Sequence, residues 1–417
     1  MDKKQIKIKF MFIVVILITI FVTGCGENKV VEKPLSNYDS SNYLTRGNLK
    51  KRSEIQDIVY KDISKIKKTD APNIHFKEFK FKGLFGVYDY NENYCALMRN
   101  TRVEFPNNEL YILNLKTGFK KKIRKYPVNK AEKWDILNFK LSNDWVAWEE
   151  VSPGEIYWRL YAAKFNSKNL TISKPILIDE GETQTKARPL LDFYENKLAW
   201  IVNYHPPAKF KGMLIMMDLD TRKTTVIHTT NTNISRISFS ENNVLWTEYY
   251  KKNKWNVMLY VYDLKQNKNI MAYDLKNEYD ISHFPTHHKD WLSWAVFPND
   301  ESVIPNLYLR DPSGKLFLVG PDCNNQCFVG NYMFYRAQKN VAERSKDEIG
   351  KDISQIWGIN LSTLKKFLLI ESDSEKEGVW VTYFGMGYFD KIFVPYANLM
   401  FKNEATKIRV YNLDQIH

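Results

Sequence analysis

The stretch LSNDWVAWEEVSPGEIYWRLYAAKFNSKNL, residues 141–170, decides the fold because its pattern recurs along the chain. A polar turn at residues 142–144 precedes an apolar run that ends at Trp148, and a second run, residues 159–165, ends at another polar turn. Two such runs bounded by turn residues predict a β-hairpin. The arrangement returns as YENKLAWIV with MLIMMDLDTRK, as SENNVLWTEY with NVMLYVYDLKQNK, and as HHKDWLSWAV with NLYLRDPSGK. Repetition of this kind predicts a solenoid, a propeller or an array.

The second strand of each hairpin measures the repeat. Its last residue falls at positions about 50 residues apart: Leu115, Phe165, Leu219, Leu264, Asp311, Leu361 and Leu413. Each unit divides into four short strands, a to d, and a four-stranded repeat of this length is typical of a propeller blade. The sequence therefore predicts an all-β fold, a seven-bladed β-propeller over residues 73–417.

The two ends of the predicted domain complement each other. The last unit supplies only three strand segments, near residues 380–384, 392–396 and 408–413. Ahead of the first unit, Ile74–Phe81 (IHFKEFKF) alternates apolar and polar residues without a partner in its own unit. Pairing this strand with the last unit would remove both open sheet edges. We therefore expect the N-terminal strand to close the last blade.

The repeats resemble those of TolB-like propellers, in which an apolar strand of the form i-y-v-x-d-l is followed by an x-t-g-k turn. The clearest copies are LYILNLKTG at 110–118, MLIMMDLDTRK at 213–223 and the segment 257–268. The S-P-D-G turn of that family is replaced here by Ser142-Asn143-Asp144, where Asn and Asp can supply the left-handed residue. TolB-like propellers include protein-binding platforms, peptidase subdomains and sugar lyases, so the resemblance implies architecture more than chemistry.

A tryptophan closes strand b in four of the units, at Trp148, Trp200, Trp246 and Trp294. A large ring at a matched place in each blade predicts packing between neighbouring sheets. Stacking on a sugar is the alternative.

The N-terminus has the layout of a secretory signal: basic residues, an apolar run from Phe10 to Val22, and then Thr23-Gly24-Cys25. The ending Val22-Thr23-Gly24-Cys25 resembles the lipobox of bacterial lipoproteins, in which the cysteine is diacylated and becomes the new N-terminus. The resemblance implies a signal peptide at residues 1–24 and lipidation of Cys25, with the rest of the chain outside the cytoplasm and held at the membrane. An uncleaved anchor is the alternative.

Residues 25–72 are polar and predict a tether. Within them, Ser53-Glu54-Ile55-Gln56 is a capping box ahead of apolar residues at helical spacing, so a short amphipathic helix packed on the domain is expected there. Removal of residues 1–24 takes away four lysines and one aspartate, so the net charge of +13 falls to +10. A basic excess of this size favours anionic surfaces or polymers, and no nucleic-acid-binding module is present.

Two cysteines, Cys323 and Cys327, lie in the sequence CNNQC. This spacing without further ligands is not a zinc motif. In an oxidising compartment it predicts a small-loop disulfide, with two free thiols as the alternative. Cys95 lies in an apolar run, which indicates a buried free thiol.

Three histidines fall together in ISHFPTHHKD: His283, His287 and His288. The repeat places them on strand a of the fifth unit, which faces the propeller axis. They could ligate a divalent metal, but their spacing matches no tight ligand motif. Partly solvated turn histidines are the preferred interpretation, without a cofactor.

No GxSxG elbow, P-loop or dinucleotide fingerprint occurs in the chain. The sequence therefore predicts a binding or scaffold propeller whose partner is an extracytoplasmic protein or an anionic polymer. The alternative is a metal-dependent polysaccharide lyase or glycan hydrolase that uses the histidine group.

Overall fold

The structure is a computed structural model. It describes residues 60–66, 68–70, 75–100, 109–125, 134–205, 211–240, 242–251, 255–275, 280–281, 285–297, 305–339, 353–371, 379–381, 387–389, 392–393, 396–399 and 405–413. Alternating apolar residues bounded by turn residues form strands throughout this part of the chain.

In chain order the strands are β1 (Tyr60–Asp62), β2 (Lys68–Thr69), β3 (Phe76–Lys82), β4 (Leu84–Tyr90), β5 (Tyr94–Asn100), β6 (Glu109–Asn114), β7 (Lys120–Lys125), β8 (Asp135–Leu141), β9 (Trp145–Val151), β10 (Tyr157–Asn166), β11 (Thr171–Ile172), β12 (Ile176–Glu182), β13 (Leu190–Tyr194), β14 (Lys197–Asn203), β15 (Gly212–Asp218), β16 (Thr224–Thr230), β17 (Asn233–Ser240), β18 (Asn243–Lys251), β19 (Trp255–Asp263), β20 (Lys268–Leu275), β21 (Asp280–Ile281), β22 (Thr286–His288), β23 (Trp291–Phe297), β24 (Asn306–Arg310), β25 (Leu316–Pro321), β26 (Cys323–Val329), β27 (Tyr332–Gln338), β28 (Ser354–Asn360), β29 (Lys366–Glu371), β30 (Val379–Val381), β31 (Gly387–Phe389), β32 (Ile392–Phe393), β33 (Tyr396–Leu399) and β34 (Ala405–Asn412). One 3-10 turn, Pro153–Glu155, lies between β9 and β10.

Six of the sheets are blades, each an antiparallel meander of successive strands from one continuous segment. Blade one is β4–β7, blade two β8–β12, blade three β13–β16, blade four β17–β20, blade five β21–β25 and blade six β26–β29. The first strands of successive blades contact one another, β4 with β8, β8 with β13, β13 with β17, and β17 with β22, so the first strand of a blade lies innermost and the last lies outermost. The all-β propeller class is therefore confirmed.

The remaining strands form a sheet built differently, which we call the composite sheet. Its order is β3-β34-β33-β30, with the short β32 also paired to β34, so it joins both ends of the described chain. Strand β3 pairs antiparallel with β34 from Phe76 opposite Tyr411 to Lys82 opposite Ala405. An apolar cluster shared by blade one, the composite sheet and blade six includes Phe79, Phe85, Phe334 and Ile408. The two chain ends therefore meet in one sheet.

The described residues form six blades, and our prediction of seven is wrong. The last repeat does not form a four-stranded meander from one continuous segment, because its strands β30, β33 and β34 share their sheet with β3 from the other end of the described chain. Segment β31 instead pairs parallel with β26 of blade six, with Cys327 opposite Gly387. Strands β30 and β32 are only 3 and 2 residues long. The composite sheet thus fills the place that the sequence assigned to a seventh blade.

The tryptophans that close strand b are core residues. Trp148, Trp200 and Trp246 are fully buried, and Trp294 is nearly so. Each indole contacts an aromatic ring or a polar side chain of its own or the preceding blade. Trp148 stacks on Tyr161 with ring centroids 5.7 Å apart and donates its indole N–H to Glu150 Oε1 at 3.0 Å. The interpretation as packing residues is confirmed by this burial.

The segment ahead of β3 belongs partly to the domain. Strand β1 pairs parallel with β25, the outermost strand of blade five, and β2 pairs parallel with β29 of blade six. Ile63 is fully buried beside Phe317 and Val319. These residues pack on the domain as expected, but as an extended segment that covers two outer edges, so the helix prediction is wrong for residues 60–66. The capping box at 53–56 lies outside the described residues.

Among the described residues, no helix has the length and apolar character needed to cross a bilayer.

Candidate functional site

Polar side chains on the innermost strands connect one blade to the next. Asp89 on β4 accepts a hydrogen bond from the backbone N–H of Leu141 in blade two at 2.9 Å. Lys140 on β8 lies 2.8 Å from Asp192 Oδ1 on β13 of blade three. The second oxygen of Asp192 accepts from the N–H of Phe239 in blade four at 2.7 Å. We call Asp89, Lys140 and Asp192 the inner triad.

Hydrogen bonds beyond the inner triad also link blade four to blade five and blade five to blade six. Ser238 of blade four donates its hydroxyl to the carbonyl oxygen of Pro285, directly before β22 of blade five. The amide Nε2 of Gln326 in blade six lies 3.4 Å from the carbonyl oxygen of Ser293 in blade five. Each polar residue sits on an innermost strand and reaches a neighbouring blade. The arrangement therefore joins blades together at the centre of the propeller.

Backbone irregularities accompany these positions in four blades. The pairing register shifts between Val87 and Asp89, between Leu137 and Lys140, between Ser235 and Ser238, and between Asn324 and Cys327. Within three of these shifts Asn138, Arg236 and Asn325 have positive φ angles of 50°, 53° and 54°. A bulge bends its strand and redirects the next side chain. The innermost strands are thus adapted to point polar groups across blade boundaries.

The inner triad holds two carboxylates and one ammonium group away from water. Asp89, Lys140 and Asp192 are all buried. The pKa of Asp89 is raised to about 6, chiefly by burial, with Lys140 lowering it and Asp192 raising it. For Lys140, burial opposes the charged form, but Asp192 and Asp89 outweigh it and raise the pKa of the ammonium group. Lys140 is therefore charged at neutral pH and offsets the two carboxylates.

The raised pKa of Asp89 predicts a specific pH dependence of stability. Because the folded pKa of about 6 exceeds the ordinary 3.8, the folded state holds the proton more tightly. This contribution is present below about pH 4 and is lost as the pH rises through 6, a change of about 3 kcal/mol. We expect Asp89→Asn to remove this part of the pH dependence of the unfolding free energy, measured by urea denaturation from pH 4 to pH 7.5.

The control for this experiment is Asp144→Asn, which removes a carboxylate from an exposed turn. That variant should keep the wild-type slope of stability against pH. An equal slope in Asp89→Asn and wild type would contradict the role given to Asp89.

The structure separates the histidines that the sequence placed together. His287 and His288 are buried on β22, and successive strand residues point to opposite faces. The Nδ1 atom of His287 lies 3.2 Å from Asn243 Nδ2 of blade four. The ring of His288 lies 6.1 Å from that of Phe328 in blade six. These two imidazoles therefore do not converge on one ion.

The other parts of the metal hypothesis find no support in the described chain. His283 lies outside the described residues. Among the residues that the structure does describe, no three His, Cys, Asp or Glu side chains are grouped to hold a metal ion. The sequence also suggested partly solvated histidines, and this is wrong for His287 and His288 because both are buried.

The disulfide expected between Cys323 and Cys327 is not formed, and both thiols are free. The two residues lie four positions apart on the single strand β26. In extended backbone this spacing places their Cα atoms about 13 Å apart. A disulfide needs Cα atoms only about 4.4–6.8 Å apart. Cys323 packs with Phe317 and Tyr335, whereas Cys327 belongs to a different apolar cluster. Cys95 is a buried free thiol, and Cys25 lies outside the described residues.

Comparisons with known proteins find similarity in structure alone. No family model matches the chain, and no curated protein matches it. A prolyl endopeptidase structure superposes with a TM-score of 0.53 at 11% identity, covering 76% of this chain and 45% of that chain. An oligogalacturonate lyase from Vibrio parahaemolyticus gives a TM-score of 0.46 at 11% identity, covering 84% of this chain and 99% of the other.

TolB from Acinetobacter baumannii is also similar, with a TM-score of 0.37 at 11% identity and coverage of 78% of each chain. The chain spans less than half of the prolyl endopeptidase. Sequence identities this low show a similar fold and do not indicate a shared function. The protein is a β-propeller whose structural neighbours include TolB and other propeller proteins.

Proposed function

We propose that this protein is an extracytoplasmic, lipid-anchored binding propeller that engages a protein or an anionic polymer through one face of the ring. The inner triad carries the proposal. Asp89, Lys140 and Asp192 are buried, and each is engaged with the next blade. Buried groups that are bonded to a neighbouring blade act as structural links and are not available to a ligand. We therefore expect ligands to bind at the turns and loops on the two faces, where propellers present residues from every blade.

The alternative is a metal-dependent polysaccharide lyase or glycan hydrolase with His283, His287 and His288 as ligands. It requires imidazoles that converge. His287 reaches blade four and His288 reaches blade six, which favours the binding role over the enzyme.

The proposed location rests on the N-terminal sequence, with its basic residues, its apolar run and the ending Val22-Thr23-Gly24-Cys25. Two acyl chains on Cys25 would hold the protein at the membrane, because each buried methylene contributes about 0.8 kcal/mol.

Cys25→Ser is expected to release the protein from membranes or to leave an unprocessed precursor. Fractionation of cells, with the apparent mass read on a gel, measures both outcomes. Cys95→Ser, at a buried cysteine of the domain, is the matched control and should remain in the membrane fraction. A correctly trimmed Cys25→Ser protein that stays fully bound to membranes would contradict lipid anchoring.

The binding role is tested by photo-crosslinking on intact cells. A photoreactive residue at an exposed loop position such as Lys211 should give a discrete adduct, whereas the same residue at buried Ala147 should not. The absence of adducts from a series of exposed positions on both faces would contradict a binding role.

A further inference from the structure

One face of the propeller carries a cation at the outer turn of every blade. We call it the turn face: it holds the turns between the first two strands and between the last two strands of each blade. In five blades these two turns are hydrogen-bonded to each other. The N–H groups of Leu115, Phe165, Leu219, Leu264 and Leu361 donate to the carbonyl oxygens of Asn93, Asp144, Asn196, Asn242 and Asn331.

Neighbouring blades also meet along this face. Lys121 of blade one donates to the carbonyl oxygen of Asn169 in the outer turn of blade two at 2.7 Å. Trp145 of blade two donates its indole N–H to Asp220 in the outer turn of blade three at 3.3 Å. The rings of Tyr194 and Phe239 stack across blades three and four. The turn face is therefore continuous across blades one to four.

The exposed basic residues of the outer turns come from all six blades. They are Lys116, Lys168, Arg222, Lys223, Lys265, Lys268, Lys315 and Lys365. We call them the cationic rim, because the turn between the two outermost strands lies at the edge of the ring. Phe119, which is 58% exposed, adds an aromatic side chain beside Lys116.

Four carboxylates of the outer turns, those of Asp218, Asp220, Asp263 and Asp311, offset part of the charge of the cationic rim, and its eight basic residues still leave a net positive charge. Asp218 Oδ1 accepts from the N–H of Thr221 at 2.9 Å. Asp263 Oδ1 accepts from the N–H of Lys265 at 2.7 Å, and Asp311 Oδ1 accepts from that of Lys315 at 2.8 Å. These carboxylates shape the turns. The exposed acids of the inner turns, Asp144, Glu195 and Asp290, lie nearer the axis.

The N-terminal segment joins the domain on the turn face. Tyr60 is the first residue of β1 and pairs in parallel with Leu316, which directly follows the outer-turn residue Lys315. Lys68 likewise pairs with Lys366, which follows Lys365. The chain that leads back to Cys25 therefore leaves the domain beside the cationic rim.

We propose that the cationic rim docks on the anionic lipid headgroups of the membrane that holds the protein. The proposal rests on the lipid anchor at Cys25 that is part of the proposed function. Thirty-four residues lie between Cys25 and Tyr60, and a chain of that length can span at most about 120 Å. We expect the cations of the rim to orient the domain on that membrane. Each basic side chain at an anionic surface adds to the attraction, and an exposed aromatic ring is suited to the interface.

Docking on the turn face leaves the opposite face for the partner. That face bears the turns between the second and third strands and between successive blades. Lys211 and Lys82 are exposed there, at the beginning of β15 and the end of β3. They serve as internal controls in the experiment below.

The test is lysine footprinting of the intact lipid-modified protein, extracted from membranes and reconstituted into vesicles. Vesicles of phosphatidylcholine alone are compared with vesicles that also contain phosphatidylglycerol, and acetylation rates are read by mass spectrometry. On the anionic vesicles we expect the rim lysines to react about fivefold more slowly, from the attraction of each cation to the surface. Lys82 and Lys211 should react equally on both. Salt at about 1 M should abolish the protection, because it shortens the screening length to about 3 Å.

Three outcomes would overturn the proposal. Equal reactivity of the rim lysines on both vesicles would exclude charge-dependent docking, and protection of Lys82 and Lys211 would assign docking to the opposite face. Protection of the rim by soluble poly(glycerol phosphate), with none from anionic vesicles, would identify a polymer site. Failure of the lipid anchor itself appears differently, as protein that does not float with either kind of vesicle.

Discussion

Lys140→Met is expected to destabilise the folded protein by about 3–5 kcal/mol at pH 7, the usual effect of removing one partner from a buried ion pair. The ammonium group of Lys140 lies 2.8 Å from Asp192 Oδ1, and both residues are buried. The variant fills a similar volume without a charge. It leaves Asp89 and Asp192 as two buried carboxylates without their cation, and this causes the loss.

The loss should depend on pH. Asp89, with a pKa of about 6, takes up a proton in acid, so less negative charge is then left uncompensated. We therefore expect the difference between Lys140→Met and wild type to shrink from pH 7 to pH 5, measured by urea denaturation. Lys168→Met, at an exposed turn, is the matched control and should change stability by less than about 0.5 kcal/mol. A small and pH-independent loss in Lys140→Met would contradict the role of the inner triad.

Removal of residues 1–82 is expected to abolish cooperative unfolding or to lower the melting temperature steeply. The deletion takes away β3, which pairs with β34 along its length, and the buried Phe79 between blade one and the composite sheet. It also removes β1 and β2, which cover the outer edges of blades five and six. Loss of a single buried phenylalanine costs about 3–5 kcal/mol. Loss of three strands should exceed the stability of a typical domain, about 5–15 kcal/mol.

Two shorter changes serve as controls for the deletion. Removal of residues 1–59 retains β1, β2 and β3 and should lower the melting temperature far less than removal of residues 1–82. Phe79→Ala should cause an intermediate loss of about 3–5 kcal/mol. Equal melting temperatures for proteins that begin at residue 60 and at residue 83 would contradict closure by β3.

The sequence predicted the class of fold because the information is local. Apolar runs bounded by turns define strands, and Trp148 and its counterparts mark the same place in successive blades. The pairing of the strand near 74–81 was also predictable, since it alternates and lacks a partner of its own. The number of blades was not predictable. The last repeat has strand-like segments, but β31 pairs with blade six, a long-range choice that periodicity does not encode.

The sites were harder to predict than the fold. Asp89, Lys140 and Asp192 were missed, although each is a charged residue within a largely apolar strand a, a signal that the repeat register could have exposed. A metal site at the histidines and a disulfide between Cys323 and Cys327 were considered because these residues are close in sequence. Along a strand, neighbours point apart, as His287 and His288 do, and residues four apart are too distant to bond, as in Cys323 and Cys327.

Metal analysis of the protein purified from membranes most directly tests the claim that the centre of this propeller is structural and the protein a binding module. Elemental analysis is done on wild type and on His287→Asn, which removes the imidazole but keeps a polar side chain beside Asn243. We expect no stoichiometric manganese, zinc or calcium in either protein. One equivalent of metal per wild-type chain, lost in His287→Asn, would contradict a structural centre and favour the metal-dependent enzyme.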